Sequence, residues 1–119
     1  MRGVIELAPW TNLSGGASQD FIQPQREWPD IGSFADGTIF VDIKDRGGAP
    51  TLHLQTAIVE EDAYFVDFTG GIATTGTTLL VSRFATATTP MMRYLRWKVE
   101  AGASAWNLTF RILAVLKHG

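Results

Sequence analysis

Two histidines, His53 and His118, are the only imidazole side chains of the chain, and imidazole is the commonest general base in enzymes. A hydrolase or transferase needs a nucleophile, a base and a group that stabilises developing charge within mutual reach. His53 stands with Gln55 on the polar face of an alternating segment, and His118 is the penultimate residue. The sequence contains no nucleophile-elbow motif. We therefore expect that the protein is not an enzyme.

Ligands for metals and phosphates are equally sparse. Cysteine is absent, so thiolate zinc sites and disulfides are excluded. The acids at Asp42, Asp45 and 60–62 offer oxygen ligands for calcium, but their spacing matches no calcium-binding loop. Gly47-Gly48 and Gly70-Gly71 stand in turns between strands, with no following helix to hold a phosphate. We expect no metal and no cofactor.

Acidic and basic residues are unevenly distributed along the chain. Residues 1–67 have a net charge of −7 and residues 68–119 a net charge of +5, which gives the overall −2. Tyr94, Arg96 and Lys98 share one strand face and resemble a base-stacking strand, but the acidic chain has no general attraction for nucleic acid, and we expect none to bind. Two interpretations of the charge segregation are open: chance, or a dipolar surface whose basic side meets an acidic partner.

Length and composition fit a single domain. The chain has 119 residues, of which 45% are hydrophobic and 18% charged. A chain of this size can bury one core but not two. No segment has an apolar run long enough for a signal peptide or a membrane span. The expectation is synthesis in the cytosol and no contact with a membrane.

Alternation of apolar and polar residues is clearest over residues 91–116. In the first run Leu95, Trp97 and Val99 share one face, and the second run has six apolar residues on one face: Trp106, Leu108, Phe110, Ile112, Ala114 and Leu116. A period of two is typical of half-buried strands, because successive side chains leave a strand on opposite faces. The two runs predict an antiparallel hairpin with a loop over Ala101–Ala105.

The other predicted strands are separated by glycine and proline turns. They are Gly3–Ala8 (ended by Pro9), Gly37–Lys44, Thr51–Val59, Ala63–Thr69 and Thr77–Phe84. The predicted inward residues of the second and third of these are Ile39, Val41, Ile43, Leu52, Leu54 and Ile58. Many short strands without an amphipathic helix predict an all-β fold. We expect an antiparallel β-sandwich or a jelly-roll-like barrel of about seven to eight strands.

Residues 9–34 break the alternating pattern but contain isolated large apolar residues, among them Trp10, Leu13, Phe21, Ile22 and Trp28. Exposing such side chains to water is unfavourable by roughly 1.5–3 kcal/mol each. A segment of this length without regular structure usually has an interacting role. We predict that residues 1–36 form an N-terminal strand and a long irregular arm, and residues 37–119 a β-sandwich domain. The arm lies either on its own sheet or on a neighbouring subunit.

Leu113 and Val115 are predicted to lie with Arg111 on the outer face of the last strand. A single exposed apolar residue needs no explanation, whereas two neighbours on one face indicate a cover. Either the N-terminal arm or a second protein chain could cover these two residues, and both alternatives stay open.

Residues 38–117 resemble the small β-sandwich head-decoration (cement) proteins of tailed bacteriophages. The resemblance rests on the segment Pro50–Ala57 (PTLHLQTA), on Arg93–Val99 (RYLRWKV) and on the final strand, which ends in AVLK. It covers about two-thirds of the chain, and its motifs are structural. Residues 1–37 match no part of the family pattern.

The resemblance implies a structural virion protein that is made in the bacterial cytoplasm and binds the outer surface of the capsid. It implies the major capsid protein as partner and a homo-oligomer, with a trimer favoured. The residues predicted to make protein contacts are Trp10, Leu13, Phe21, Ile22, Trp28, Arg93, Arg96, Arg111, Leu113 and Val115. Two alternatives are a phage tail or fibre component and a carbohydrate-binding sandwich that uses Trp10, Trp28 or Tyr94 as a stacking platform.

Overall fold

The computed structural model describes residues 2–31, 36–67, 72–73, 79–83 and 92–117. Within these ranges the chain forms nine strands and two short 3-10 helices, Gln25–Glu27 and Asp62–Tyr64, and no α-helix. The strands are β1 (Arg2–Gly15), β2 (Phe21–Ile22), β3 (Asp36–Gly47), β4 (Thr51–Ala57), β5 (Val66–Asp67), β6 (Ile72–Ala73), β7 (Leu79–Arg83), β8 (Tyr94–Glu100) and β9 (Trp106–Lys117). None of the described helices is long and apolar enough to cross a membrane.

The strands form two antiparallel sheets. One sheet has the order β1-β9-β3-β7, and the other has the order β2-β8-β4-β5, with β6 also paired to β4. The main cluster of buried apolar residues draws on both sheets and lies between them, and a smaller cluster contains Trp28, Ala57 and Phe65. The predicted all-β antiparallel sandwich is confirmed.

The core uses the inward faces that the alternation predicts. All six apolar residues predicted to face inward on β9 are buried, as are Ile39, Val41, Ile43, Leu52 and Leu54 on β3 and β4. Trp97 on β8 meets Phe110 on β9 edge to face, with 5.1 Å between the ring centroids. Because β8 and β9 belong to different sheets, this aromatic pair packs one sheet against the other.

The predicted hairpin over residues 91–116 is wrong. Strand β8 pairs with β2 and β4, whereas β9 pairs with β1 and β3 in the other sheet. The connection over Ala101–Ala105 therefore crosses from one sheet to the other. Alternation fixes which face of a strand is buried but does not identify the strand's partner. Two strands whose apolar faces meet across a core have the same sequence pattern as two strands side by side.

The first strand is longer than predicted and continues through Pro9 to Gly15. Its pairing with β9 shifts register between Glu6 and Ala8 and again between Ala8 and Thr11. Proline is accepted at this position because β1 is an edge strand of the described sheet, where a missing N–H breaks no interior ladder. Much of the predicted irregular arm is thus regular strand that lies beside β9 in its own sheet.

The rest of the arm follows the second sheet. Strand β2 pairs with β8, and Asp30 makes an isolated bridge with Tyr94. Gln23 is buried, and its side-chain amide nitrogen donates to the carbonyl of Leu7 at 2.9 Å. The oxygen of the same amide accepts from the backbone N–H of Trp97 at 3.2 Å. Gln23 therefore connects β1 of one sheet to β8 of the other.

The connection between β4 and β5 also differs from the prediction. Strand β4 ends at Ala57, so Ile58, predicted to face inward, is exposed. The described part of the predicted strand Ala63–Thr69 begins in a 3-10 helix and continues as β5, and Phe68 and Thr69 lie outside the described residues. After the 3-10 turn, Phe65 is buried, while its neighbours Tyr64 and Val66 are exposed. The predicted strand Thr77–Phe84 is observed as β7, and its two ends lie outside the described residues.

Candidate interaction surfaces

Four of the ten predicted contact residues meet on the outer face of the first sheet. In register, Leu113 lies between Glu6 on β1 and Phe40 on β3, and Val115 lies opposite Thr38. Leu113, Val115 and Phe40 are each partly exposed. Trp10 and Arg111 complete this surface, which we call the outer-sheet patch: Trp10, Phe40, Arg111, Leu113 and Val115. The described part of the arm does not cover it, because β1 lies beside β9 in the plane of the sheet.

Trp10 is the most exposed aromatic residue of the patch, with 46% of its surface accessible. The guanidinium of Arg111 lies 4.9 Å from the centre of its ring, and the amine of Lys44 lies 5.8 Å away. Arg111 also pairs with Asp42, at 3.2 Å between Nη2 and Oδ2. Cation–π contacts at exposed sites contribute about 0.5–1 kcal/mol, so they orient the indole without burying it. The result is a large, positioned aromatic side chain next to positive charge.

Three other predicted residues lie on or beside the core. Leu13 and Phe21 are half-buried and pack against the main apolar cluster. Phe21 makes an edge-to-face contact with Trp106, with 5.8 Å between the ring centroids. Ile22, the next residue of β2, is exposed. Of these three side chains, only Ile22 is largely available to a partner.

Trp28 and Arg96 have roles inside the protein. Trp28 is buried, and its indole N–H donates to the carbonyl of Gln23 at 2.7 Å. The Arg96 guanidinium lies 4.1 Å from the ring centre of Phe65 and 5.1 Å from that of Trp28. It donates to Gln55 at 2.8 Å and pairs with Asp62. Because Arg96 is buried, it does not form an exposed stacking row with its neighbours on β8.

Arg93 is exposed and forms an ion pair with Asp30, at 2.9 Å between Nη2 and Oδ2. Its hydrogen bond to this carboxylate, reinforced by the charge of Asp30, raises the pKa of Arg93 above its ordinary value. The guanidinium also lies over the ring of Tyr94, 5.4 Å from its centre. Of the three aromatic residues considered for a sugar-stacking platform, Trp28 is buried and Tyr94 is half-buried, which leaves Trp10 as the exposed one.

Some of the charges that are segregated along the sequence pair with each other in the fold. Three pairs join an acid of the first half to an arginine of the second: Asp30 with Arg93, Asp42 with Arg111 and Asp62 with Arg96. This follows from the topology, because β8 and β9 each lie between strands of the N-terminal half. These three pairs neutralise part of the segregated charge, and both interpretations of its distribution stay open.

His53 lies on β4 between two carboxylates. Its Nδ1 is 2.9 Å from Asp67 on β5, and its Nε2 is 3.4 Å from Glu100 on β8. Gln55 donates to the other oxygen of Asp67 at 2.9 Å. This network ties three strands of the second sheet together on its outer face. His118 lies outside the described residues, which also contain no cluster of acids and histidines able to hold a metal ion.

An open depression lies at the end of the first sheet, beside the turn after β3. Its lining residues, which carry no carboxylate, imidazole or amine, are Ser14, Gly47, Gly48, Ala105, Trp106 and Asn107. Gly48 has a φ of +72°, and a Cβ atom there would lie 2.6 Å from the carbonyl oxygen of Ala105. Glycine is thus required by the tight turn. The depression offers hydroxyl and amide groups but no acid–base pair.

No protein-family model and no curated protein matches the sequence. Among solved structures, the PBSX exported protein XepA is similar with a TM-score of 0.58 and 14% identity, over 98% of this chain and 37% of that one. A structure of the infectious bursal disease virus Gx strain gives a TM-score of 0.56 and 12% identity, over 100% of this chain and 33% of that one. This chain thus spans about a third of the length of each. At these identities the likeness shows the fold alone.

Proposed function

We propose that this protein is a structural component of a virion, and specifically a decoration protein that binds the outer surface of a tailed-phage capsid. The observation that carries the proposal is the outer-sheet patch, where Trp10, Leu113 and Val115 leave apolar surface partly exposed on a rigid sheet. Support also comes from the likeness of the fold to a phage PBSX exported protein and to a virus structure. The decoration-protein motifs around Pro50–Ala57 and Arg93–Val99 give the finer assignment.

The geometry of the patch suits protein contact. A central strand, β9, supplies Arg111, Leu113 and Val115, and both of its neighbours are long strands that hold it in place. Tryptophan and arginine are among the residue types enriched at the energetic centre of protein interfaces. A rigid surface loses little conformational entropy on binding, so more of its contact energy appears as affinity.

In this proposal the partner is the major capsid protein, and the decoration protein is a homotrimer. A capsid repeats the same junction many times, and a trimer presents three copies of one patch to it. Linked contacts of this kind multiply weak affinities without any new contact. Each copy stiffens the junction because it adds buried area between capsid subunits; a standard interface buries on the order of 1,600 Å². Light scattering coupled to size-exclusion chromatography tests the oligomeric state, and a clean monomer contradicts the trimer.

Binding to particles tests the function. Capsids of the encoding phage are prepared without this protein, mixed with the purified chain and sedimented. We expect saturable binding by the wild type and a loss of about tenfold or more in affinity for Trp10→Ser, because interface aromatics cost about 1.4 kcal/mol or more on truncation. A Lys98→Ser variant, changed on the other sheet, is the control and binds like the wild type. Absence of wild-type binding contradicts the proposal, and binding to isolated tails instead assigns the chain to the tail.

A further inference from the structure

The exposed large apolar residues of the described chain are concentrated away from the outer-sheet patch. Four of six lie within residues 58–66, the connection between β4 and β5. Their accessible fractions are 63% for Ile58, 38% for Val59, 55% for Tyr64 and 45% for Val66. We call residues 58–66 the β4–β5 knob. Exposed apolar side chains that are grouped, rather than scattered singly, are typical of an interaction site.

Contacts of three knob residues hold the knob against the rest of the sandwich. Phe65, between two exposed residues, is buried against Trp28, with 4.6 Å between the ring centroids. Asp62 pairs with the buried Arg96, and the side chain of Gln25 donates to the carbonyl of Glu60 at 3.2 Å. The 3-10 helix Asp62–Tyr64 sets the direction of the exposed side chains. The knob is therefore preorganised, and a partner does not have to order it on binding.

The charge of the knob selects the chemistry of its partner. Glu60 and Glu61 are exposed beside the apolar side chains, whereas Asp62 is paired with Arg96. Glu61 gives the rim a negative charge, which repels anionic lipid surfaces, whereas Glu60 lies near enough to Arg93 for its charge to help raise the pKa of that guanidinium. A surface with an apolar recess and a rim of lysine or arginine is complementary to both features.

We propose that the β4–β5 knob is a second docking site, and that its partner is a basic, partly apolar protein surface on a neighbouring capsid subunit. The inference rests on the proposed function, because it takes the capsid as the partner. The knob belongs to the second sheet, whereas the outer-sheet patch belongs to the first. A copy that uses both surfaces bridges two neighbours, which is how a small protein strengthens a junction.

Two substitutions test the knob without touching its anchors. Tyr64→Ser removes exposed apolar surface, and Glu61→Lys reverses a rim charge. Each is compared with a change outside both docking surfaces, Lys98→Ser on β8 for the loss of side-chain area and Ser104→Lys in the turn after β8 for the change of charge. The capsids and the sedimentation assay are those used for the wild type, at low and at high salt. Urea unfolding confirms that the knob variants keep the wild-type midpoint.

Each knob variant is expected to lose about tenfold in affinity for the capsids, while both controls bind as the wild type does. The effect of Glu61→Lys should be smaller at high salt, because exposed charges are then screened. Knob variants that bind like the wild type, or controls that lose as much, overturn this inference and leave the proposed function standing. A knob variant that changes the oligomeric state overturns it in favour of self-association. Failure of the wild type to bind overturns the proposed function itself.

Discussion

Replacing Arg96 by alanine removes a buried cation that joins three parts of the second sheet. The guanidinium donates to Gln55 at 2.8 Å and lies 4.1 Å from the ring centre of Phe65 and 5.1 Å from that of Trp28. A hydrogen bond with one charged partner is worth about 1.5–3 kcal/mol, and a desolvated cation–π contact about 2 kcal/mol. Asp62 is exposed and regains water, so the loss of its ion pair adds little. We expect the free energy of unfolding to fall by about 3 kcal/mol.

Arg93→Ala is the matched control, because Arg93 also pairs with an aspartate but is exposed. Its urea midpoint should stay at the wild-type value. The assay is equilibrium urea unfolding followed by tryptophan fluorescence, with the slope m checked for two-state behaviour. Equal midpoints for the two variants would refute the structural role of Arg96. In that case Arg96 would again count as a candidate for contact with a partner.

Four further substitutions test the packing. Trp97→Ala and Phe110→Ala should each lower the free energy of unfolding by about 3–5 kcal/mol. Their double-mutant cycle, measured by urea unfolding, should give a coupling energy of about 0.5–1.5 kcal/mol. Additive effects of the two substitutions would contradict the contact between the sheets. Gln23→Leu should cost about 1–3 kcal/mol for each backbone group left unpaired, those of Leu7 and Trp97; a wild-type midpoint would argue against the link between the sheets. Gly48→Ala should cost about 1–3 kcal/mol because of its positive φ, and an unchanged thermal midpoint would contradict the strained turn.

Alternation in the sequence predicts the buried faces well and the connections poorly. The predicted inward residues of β3, β4 and β9 are correct except for Ile58, which lies beyond the end of β4, because period two is set by the backbone of a single strand. The pairing of β8 with β9 is wrong, since the choice of partner depends on the whole sheet order. Pro9 was expected to end β1, and it does not because an edge strand accepts a proline.

The candidate contact residues divide in the same way: alternation places some of them correctly, whereas others depend on contacts between distant segments. Arg111, Leu113 and Val115 are on the outer face because they alternate with the buried residues of β9. Trp28 and Arg96 were expected to contact a partner, but the contact between them forms only when β8 and the segment after β2 come together. The knob was missed because a 3-10 turn interrupts the predicted strand, and its signal in the sequence was the acidic run 60–62 between apolar residues. Gln23 had no sequence signal, since its partners lie in distant strands.

Electron cryo-microscopy of virions tests the central claim most directly. Particles from the encoding phage are compared with particles from a deletion of this gene, with the purified chain added back to the second sample. The account predicts sandwich-shaped density at capsid junctions that is lost on deletion and restored on addition. That density should have the outer-sheet patch against a capsid subunit. Identical capsids in all three samples would contradict the claim that this chain is a structural component of the capsid surface.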